Sequence, residues 1–93
     1  MQTTAKFSLG QVVTTPGALA ALEQAGQSAF EFLARHVAGD WGDLGDEDRN
    51  ENDFSLEHGF RLVSSYTLRS GAKLWIITEA DRSSTCLLLP EEY

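Results

Sequence analysis

Phe60-Arg61-Leu62-Val63-Ser64-Ser65-Tyr66-Thr67-Leu68-Arg69-Ser70-Gly71 is the stretch that decides the fold. Phe60, Leu62, Ser64, Tyr66 and Leu68 alternate with Arg61, Val63, Ser65, Thr67 and Arg69, which is the period of a strand with one face turned inward. Ser70-Gly71 is a turn signal, and residues 73–78 (Lys-Leu-Trp-Ile-Ile-Thr) form a second β-rich run. A further turn at residues 80–83 leads into a third run, residues 85–89, which Pro90 stops. Three consecutive strands joined by short turns predict an antiparallel meander. Residues 74–77 and 86–89 are apolar on both faces, so part of the second face should be covered, by helices on one side and a partner subunit on the other.

Upstream of the meander the periodicity changes. Phe7, Leu9 and Val13 fall on one side of an extended segment, predicting an N-terminal strand over residues 7–13. Thr15 followed by Pro16 has the form of a helix start, because the missing proline N–H would be unpaired there anyway. Leu19 and Leu22 supply the apolar stripe of that helix, and Gly26 suits the left-handed position that ends it. Ser28 with Glu31 is a capping-box spacing for a second helix, with Phe30, Leu33 and Val37 as its apolar stripe and Gly39 as its stop. Residues 40–45 read as a loop with Trp41 and Leu44 as anchors. Residues 47–58 read as a third, lightly docked helix, with only Phe54 and Leu56 apolar. The prediction is a single small α+β domain over residues 1–93. It has one N-terminal strand, two or three short helices, then a three-stranded antiparallel meander, with the helices packed on one sheet face.

Charge is concentrated in one place. The 93 residues carry −7, and residues 40–57 hold eight acids against the single base Arg49, while the remainder holds six of each sign. Such a balance disfavours direct nucleic-acid binding, which draws on clustered Lys and Arg to release counterions. At this length roughly 60–65 % of the unfolded chain's surface is buried, which favours a shallow site over a deep one. The lone Cys86 forms no internal disulfide and sits in an apolar run. No run of about 20 apolar residues is present and the polar start, Met1 to Lys6, lacks a signal-peptide core, so a cytoplasmic location without membrane contact is expected.

Two segments carry possible chemistry. Asp46, Asp48, Asn50 and Glu57 occupy positions 1, 3, 5 and 12 of a calcium-binding loop. However, Glu51 stands where the loop needs Gly and Asp53 where it is apolar, so neither a metal nor a cofactor is expected. His36 and His58 could act as acid and base in a small ribonuclease. The simpler reading places each in a last helical turn before Gly, facing the negative end of the dipole, and no basic cluster is present to hold a phosphate. Ser83, Ser84 and Thr85 lack the base and elbow of a nucleophile and read as turn and strand residues.

Residues 36–42 (His-Val-Ala-Gly-Asp-Trp-Gly), the stretch from Asn50 to Phe60, and the ending from Leu74 to Arg82 and Leu88 to Tyr93 resemble a group of short bacterial plasmid-related proteins. These are sometimes labelled restriction-endonuclease subunits, and the resemblance covers nearly the whole chain. It implies a mobile-element setting, brings no established activity with it, and assigns no role to individual residues. The sequence thus points to a non-enzymatic protein-binding or regulatory factor using the acidic segment, with Asp40, Trp41, Asp43, Asp46, Glu47, Asp48, Glu51, Asp53 and Glu57 as candidate contacts. Alternatives are a DNA-mimic-like inhibitor of a host nucleic-acid-processing protein, the ribonuclease, and a homo-oligomer assembled through the sheet.

Overall fold

The computed structural model describes residues 5–93, so the polar opening at residues 1–4 lies outside the described residues. Along the chain run β1 (Gln11–Thr14), α1 (Pro16–Ala25), α2 (Ala29–Val37), α3 (Asp46–His58), β2 (Leu62–Thr67), β3 (Lys73–Thr78) and β4 (Ser84–Leu88), followed by a 3-10 turn (Pro90–Glu92). The α+β class holds. The four strands form one mixed sheet in the order β1-β4-β3-β2, in which β2, β3 and β4 pair antiparallel and β1 adds parallel to β4. A parallel pair needs a long crossover. Here the crossover contains all three helices and two strands, which is why local sequence pattern does not show it.

Side-chain alternation gives the sheet two unlike faces. Leu62, Tyr66, Leu74, Ile76 and Leu87 point to one side, where Ala18 and Leu22 of α1 and Phe32 and Leu33 of α2 complete the core. The other side carries Val63, Trp75, Ile77, Cys86 and Leu88; the chain end folds back so that the Tyr93 ring meets Trp75 edge-on at 5.7 Å. The expectation that every helix packs on one face is corrected for α3, which lies along the outer edge of β2. Asn52 is the buried residue of α3; its amide accepts from the Val63 N–H at 3.2 Å and donates to the Val63 carbonyl at 2.6 Å. One side chain thus satisfies the two backbone groups that Val63 would leave open at the sheet edge.

Two further expectations shift. The first strand begins at Gln11 rather than residue 7, because Gly10 turns left-handed at φ 64° where a Cβ would collide with the Ser83 carbonyl. Phe7 instead packs against His36 and Trp41, at centroid distances of 5.2 and 6.2 Å. In α2 the inward stripe is Phe32, Leu33 and His36, and Phe30 is 81 % exposed. Ser28 does cap α2 by accepting from the Phe30 N–H at 3.1 Å, but Glu31 accepts from the Gln27 amide and completes no capping box. For α1 the observed caps are those read from sequence, with Thr15 accepting from the Ala18 N–H and Gly26 left-handed at φ 66°.

Candidate functional site

The acidic segment divides into two populations with different roles. Asp40 accepts from the Arg35 guanidinium at 2.7 Å and from the Gly42 N–H at 3.2 Å, and these partners hold its carboxyl below the ordinary range. Asp43 accepts from the Thr67 hydroxyl at 2.6 Å with Lys73 at 3.6 Å, and its pKa is lowered chiefly by that hydroxyl. Trp41 is buried at 4 % exposure and its indole N–H donates to Asp53 at 3.0 Å. These residues hold the 40–45 loop in place. Gly42 makes this possible: at φ 78° its chain runs so close to β2 that a Cβ would strike the Ser65 carbonyl and the Tyr66 ring. The loop then donates from the Asp43 N–H to the Ser65 carbonyl and accepts from the Ser65 N–H at the Trp41 carbonyl, closing β2's edge beside Asn52.

The second population is free. Asp46, Glu47, Asp48, Glu51 and Glu57 are exposed on α3 and form no hydrogen bond or ion pair with any described side chain. Asp46, Glu47 and Asp48 occupy the first turn, where the positive helix end favours them. Arg49, the one base of the segment, does not neutralise its neighbours: its guanidinium donates to the carbonyls of Leu44 at 2.9 Å and Gly42 at 2.8 Å. Because residues 46–58 form one continuous helix, Asp46, Asp48 and Asn50 are about 200° apart in succession around the axis. That geometry does not converge their oxygens as a calcium loop would.

Behind α3 a cleft of about 490 Å³ opens between the helix and the second sheet face. Asp48 and Glu51 line it from the helix, Val63 and Trp75 from the sheet, and Arg61 lines it as well. Arg61 is already engaged with Glu79 at 3.2 Å and with the Tyr93 hydroxyl at 3.2 Å. The cleft therefore combines unpaired carboxylates with an aromatic ring, a combination suited to a cationic side chain. Sequence reading reached the carboxylates and missed Trp75, whose place here depends on how α3 lies against the sheet.

The two histidines are placed differently and share no contact. His58 lies at the exposed end of α3, stacked on Phe54 at 4.0 Å, with Nδ1 donating to the Phe54 carbonyl at 2.9 Å. His36 has no exposed surface and is bracketed by Phe7 and Trp41. Its hydrogen bonds run in one direction. The Thr85 hydroxyl donates to the Leu9 carbonyl at 2.7 Å, so it accepts from Thr78 at 2.7 Å; Thr78 in turn accepts from His36 Nε2–H at 2.9 Å, and Ser64 donates to Nδ1. Nε2 thus carries a proton, and in the neutral ring that burial favours Nδ1 is the acceptor from Ser64. Burial, with the Arg82 charge as a smaller cause, pushes its pKa down to about 4. This chain joins α2 to β2, β3, β4 and the segment before β1, and it is sealed from any substrate.

Cys86 is half-buried, and burial pushes its thiol up and away from the reactive thiolate form. Among the described residues no helix is long and apolar enough to cross a membrane, and no group of three or more His, Cys, Asp or Glu could hold a metal ion. No family model, curated protein or solved structure matches the chain.

Proposed function

We propose that this chain is a non-enzymatic protein-binding factor of a mobile genetic element, which engages a basic segment of its partner through α3 and the cleft behind it. The observation that carries this reading is the set of five carboxylates on α3 that no cation of the described chain neutralises, two of which border the cleft occupied by Trp75. A Lys or Arg entering the cleft gains the carboxylates and the ring face together; the ring is worth about 1 kcal/mol at a partly exposed site. The remaining carboxylates raise the association rate in a manner that salt suppresses. The mobile-element setting rests on the resemblance to plasmid-related proteins.

Replacing Asp48 and Glu51 by Lys together tests the reading. Both positions are exposed and unpaired, so the melting temperature should stay within a few degrees while capture of the native partner from host lysate, and binding of an Arg-rich peptide, fall at least tenfold. Capture unchanged by the double substitution refutes the reading. The same experiment separates the DNA-mimic alternative, because a partner that uses a DNA-binding groove is displaced by duplex DNA.

A further inference from the structure

We propose that the free edge of β1 joins two copies of this chain, the β1 strands pairing antiparallel about a two-fold axis that passes beside Val13. The edge is open by construction. Gln11 and Thr15 donate to the Ser83 and Leu87 carbonyls of the β4 side, so the intervening Val12 and Thr14 turn their N–H and C=O groups outward, where no described residue meets them. The opposite edge of the sheet is closed by Asn52 and the 40–45 loop. Edge strands are ordinarily protected by Lys, Pro, bulges or a covering element; β1 has none of these among the described residues.

The surroundings of the edge favour a second copy as the occupant. Residues 7–22 contain no Asp, Glu, Lys or Arg, although the chain carries −7. The free carboxylates of α3 lie beyond β2, three strand spacings or roughly 14 Å away from β1 across the sheet. That separation exceeds the Debye length of about 8 Å at physiological salt, so the α3 carboxylates add little repulsion at β1; the carboxylate that stands at the strand's end, Glu92, is engaged by the Thr15 hydroxyl at 2.6 Å. Beside the edge lies a groove of about 520 Å³ lined by apolar residues, including Leu9, Val12, Leu33 and Val37, with Phe30 at 81 % exposure on its rim. Val12 and Val13 are 42 % and 43 % exposed. A short strand with two outward residues offers a foreign peptide little. A second copy supplies its own groove and Phe30 as well, since a two-fold contact uses each patch twice.

The pairing has a definite register. Val12 and Thr14 exchange both backbone hydrogen bonds with Thr14 and Val12 of the second copy, making four bonds and one continuous eight-stranded sheet. Val13 then faces its symmetry mate across a non-hydrogen-bonded pair, with Cα atoms about 4.5 Å apart. Phe30 and the two valines present on the order of 300 Å² of apolar surface per copy, about 600 Å² for the pair, which is below the roughly 1,200 Å² of standard interfaces, so the dimer rests on the four backbone bonds as well and is weak and concentration-dependent.

Sedimentation equilibrium of the whole chain from about 10 μM to about 1 mM in physiological salt tests this. A monomer–dimer equilibrium is expected. Phe30→Ser and Val12→Pro should each weaken it at least tenfold, with thermal melts confirming that each variant is folded. Phe30 is exposed, so its substitution leaves the core intact. In a Cys86→Ser background, Val13→Cys should form an intermolecular disulfide under mild oxidation, since 4.5 Å lies within disulfide reach. A monomer at about 1 mM overturns the proposal, as does a dimer that Phe30→Ser leaves unweakened or one in which Val13→Cys does not cross-link. The Lys substitutions at Asp48 and Glu51 should leave the dimer unchanged, so this test and that of the acidic helix fail independently.

Discussion

Acidification should destabilise the protein between pH 6.5 and 4 through one residue, His36. In the folded chain the ring is neutral, without exposed surface, and engaged at both nitrogens by Ser64 and Thr78; burial first, and the Arg82 charge second, lower its pKa from the ordinary 6.5 to about 4. A folded-state pKa below the unfolded one means that the unfolded chain binds the proton first. Stability contributed by the neutral ring is therefore complete above pH 6.5 and is lost as pH falls towards 4. At 1.36 kcal/mol per tenfold step the loss is about 2 kcal/mol at pH 5 and about 3 kcal/mol at pH 4. The carboxylates do not mask this window. Asp40, Asp43, Asp81 and Glu92 have lowered pKa values, so their contribution is present above the ordinary carboxylate pKa and fades only in stronger acid. The assay is urea unfolding followed by Trp fluorescence at half-unit steps from pH 7.5 to 4.5. With a slope of about 1 kcal/mol/M the midpoint should fall by about 2 M between pH 7 and pH 5. His36→Gln, which keeps polar groups but does not titrate, should be less stable at pH 7 and flatten the dependence. A wild-type midpoint that is level from pH 7 to 5 refutes the reasoning.

Three other substitutions test the closed edge of β2 and its loop. Gly42→Ala forces a Cβ into the Ser65 carbonyl at a left-handed position and should cost at least about 2 kcal/mol, read as a lower urea midpoint. Asn52→Ala leaves both backbone groups of Val63 without their partner and should cost about 2 kcal/mol, with faster amide exchange at Val63 as the local sign. Tyr66→Phe removes the 2.6 Å bond to the Asp40 carbonyl and should cost about 1 kcal/mol by thermal melting. Burial pushes the Tyr66 phenol up to about 12, so alkaline difference spectra should show a tyrosine titrating near pH 12 that Tyr66→Phe removes.

What the sequence revealed follows the range of the interactions. The meander was legible because β2 alternates strictly, β3 is a β-rich run and the turn between them is local: Leu68 and Gly71 close it on one another, with Gly71 at φ 93°. The caps of α1 were legible for the same reason. The pairing of β1 with β4 was not, because its partners lie more than 70 residues apart. The inward face of α2 was misjudged at Phe30, since a histidine looks polar by type, yet His36 is core here because Ser64 and Thr78 satisfy both nitrogens. The acidic segment was visible as a composition. Its division was not, because Arg35, Thr67 and the Trp41 indole, which occupy Asp40, Asp43 and Asp53, can be assigned only once the loop is placed against β2.

The two edges of the sheet organise the whole molecule. At β2, an open row of backbone groups is closed by an amide side chain and a glycine-tight loop, and this closure carries the acidic helix as its outer layer. Several acids of residues 40–57 thus serve the closure, and the charge left unneutralised is what remains on α3, two of its carboxylates bordering the cleft. At β1 neither device is used, and residues 7–22 carry no charge at all. An unprotected edge strand invites uncontrolled strand addition unless a specific contact ends it. Two-fold pairing through β1 ends it, because the eight-stranded sheet that results has the closed β2 edge at both extremes. The electrostatic consequence is that the free carboxylates of both copies stand at the two ends of one sheet, which would let a dimer present two acidic surfaces to partners at once.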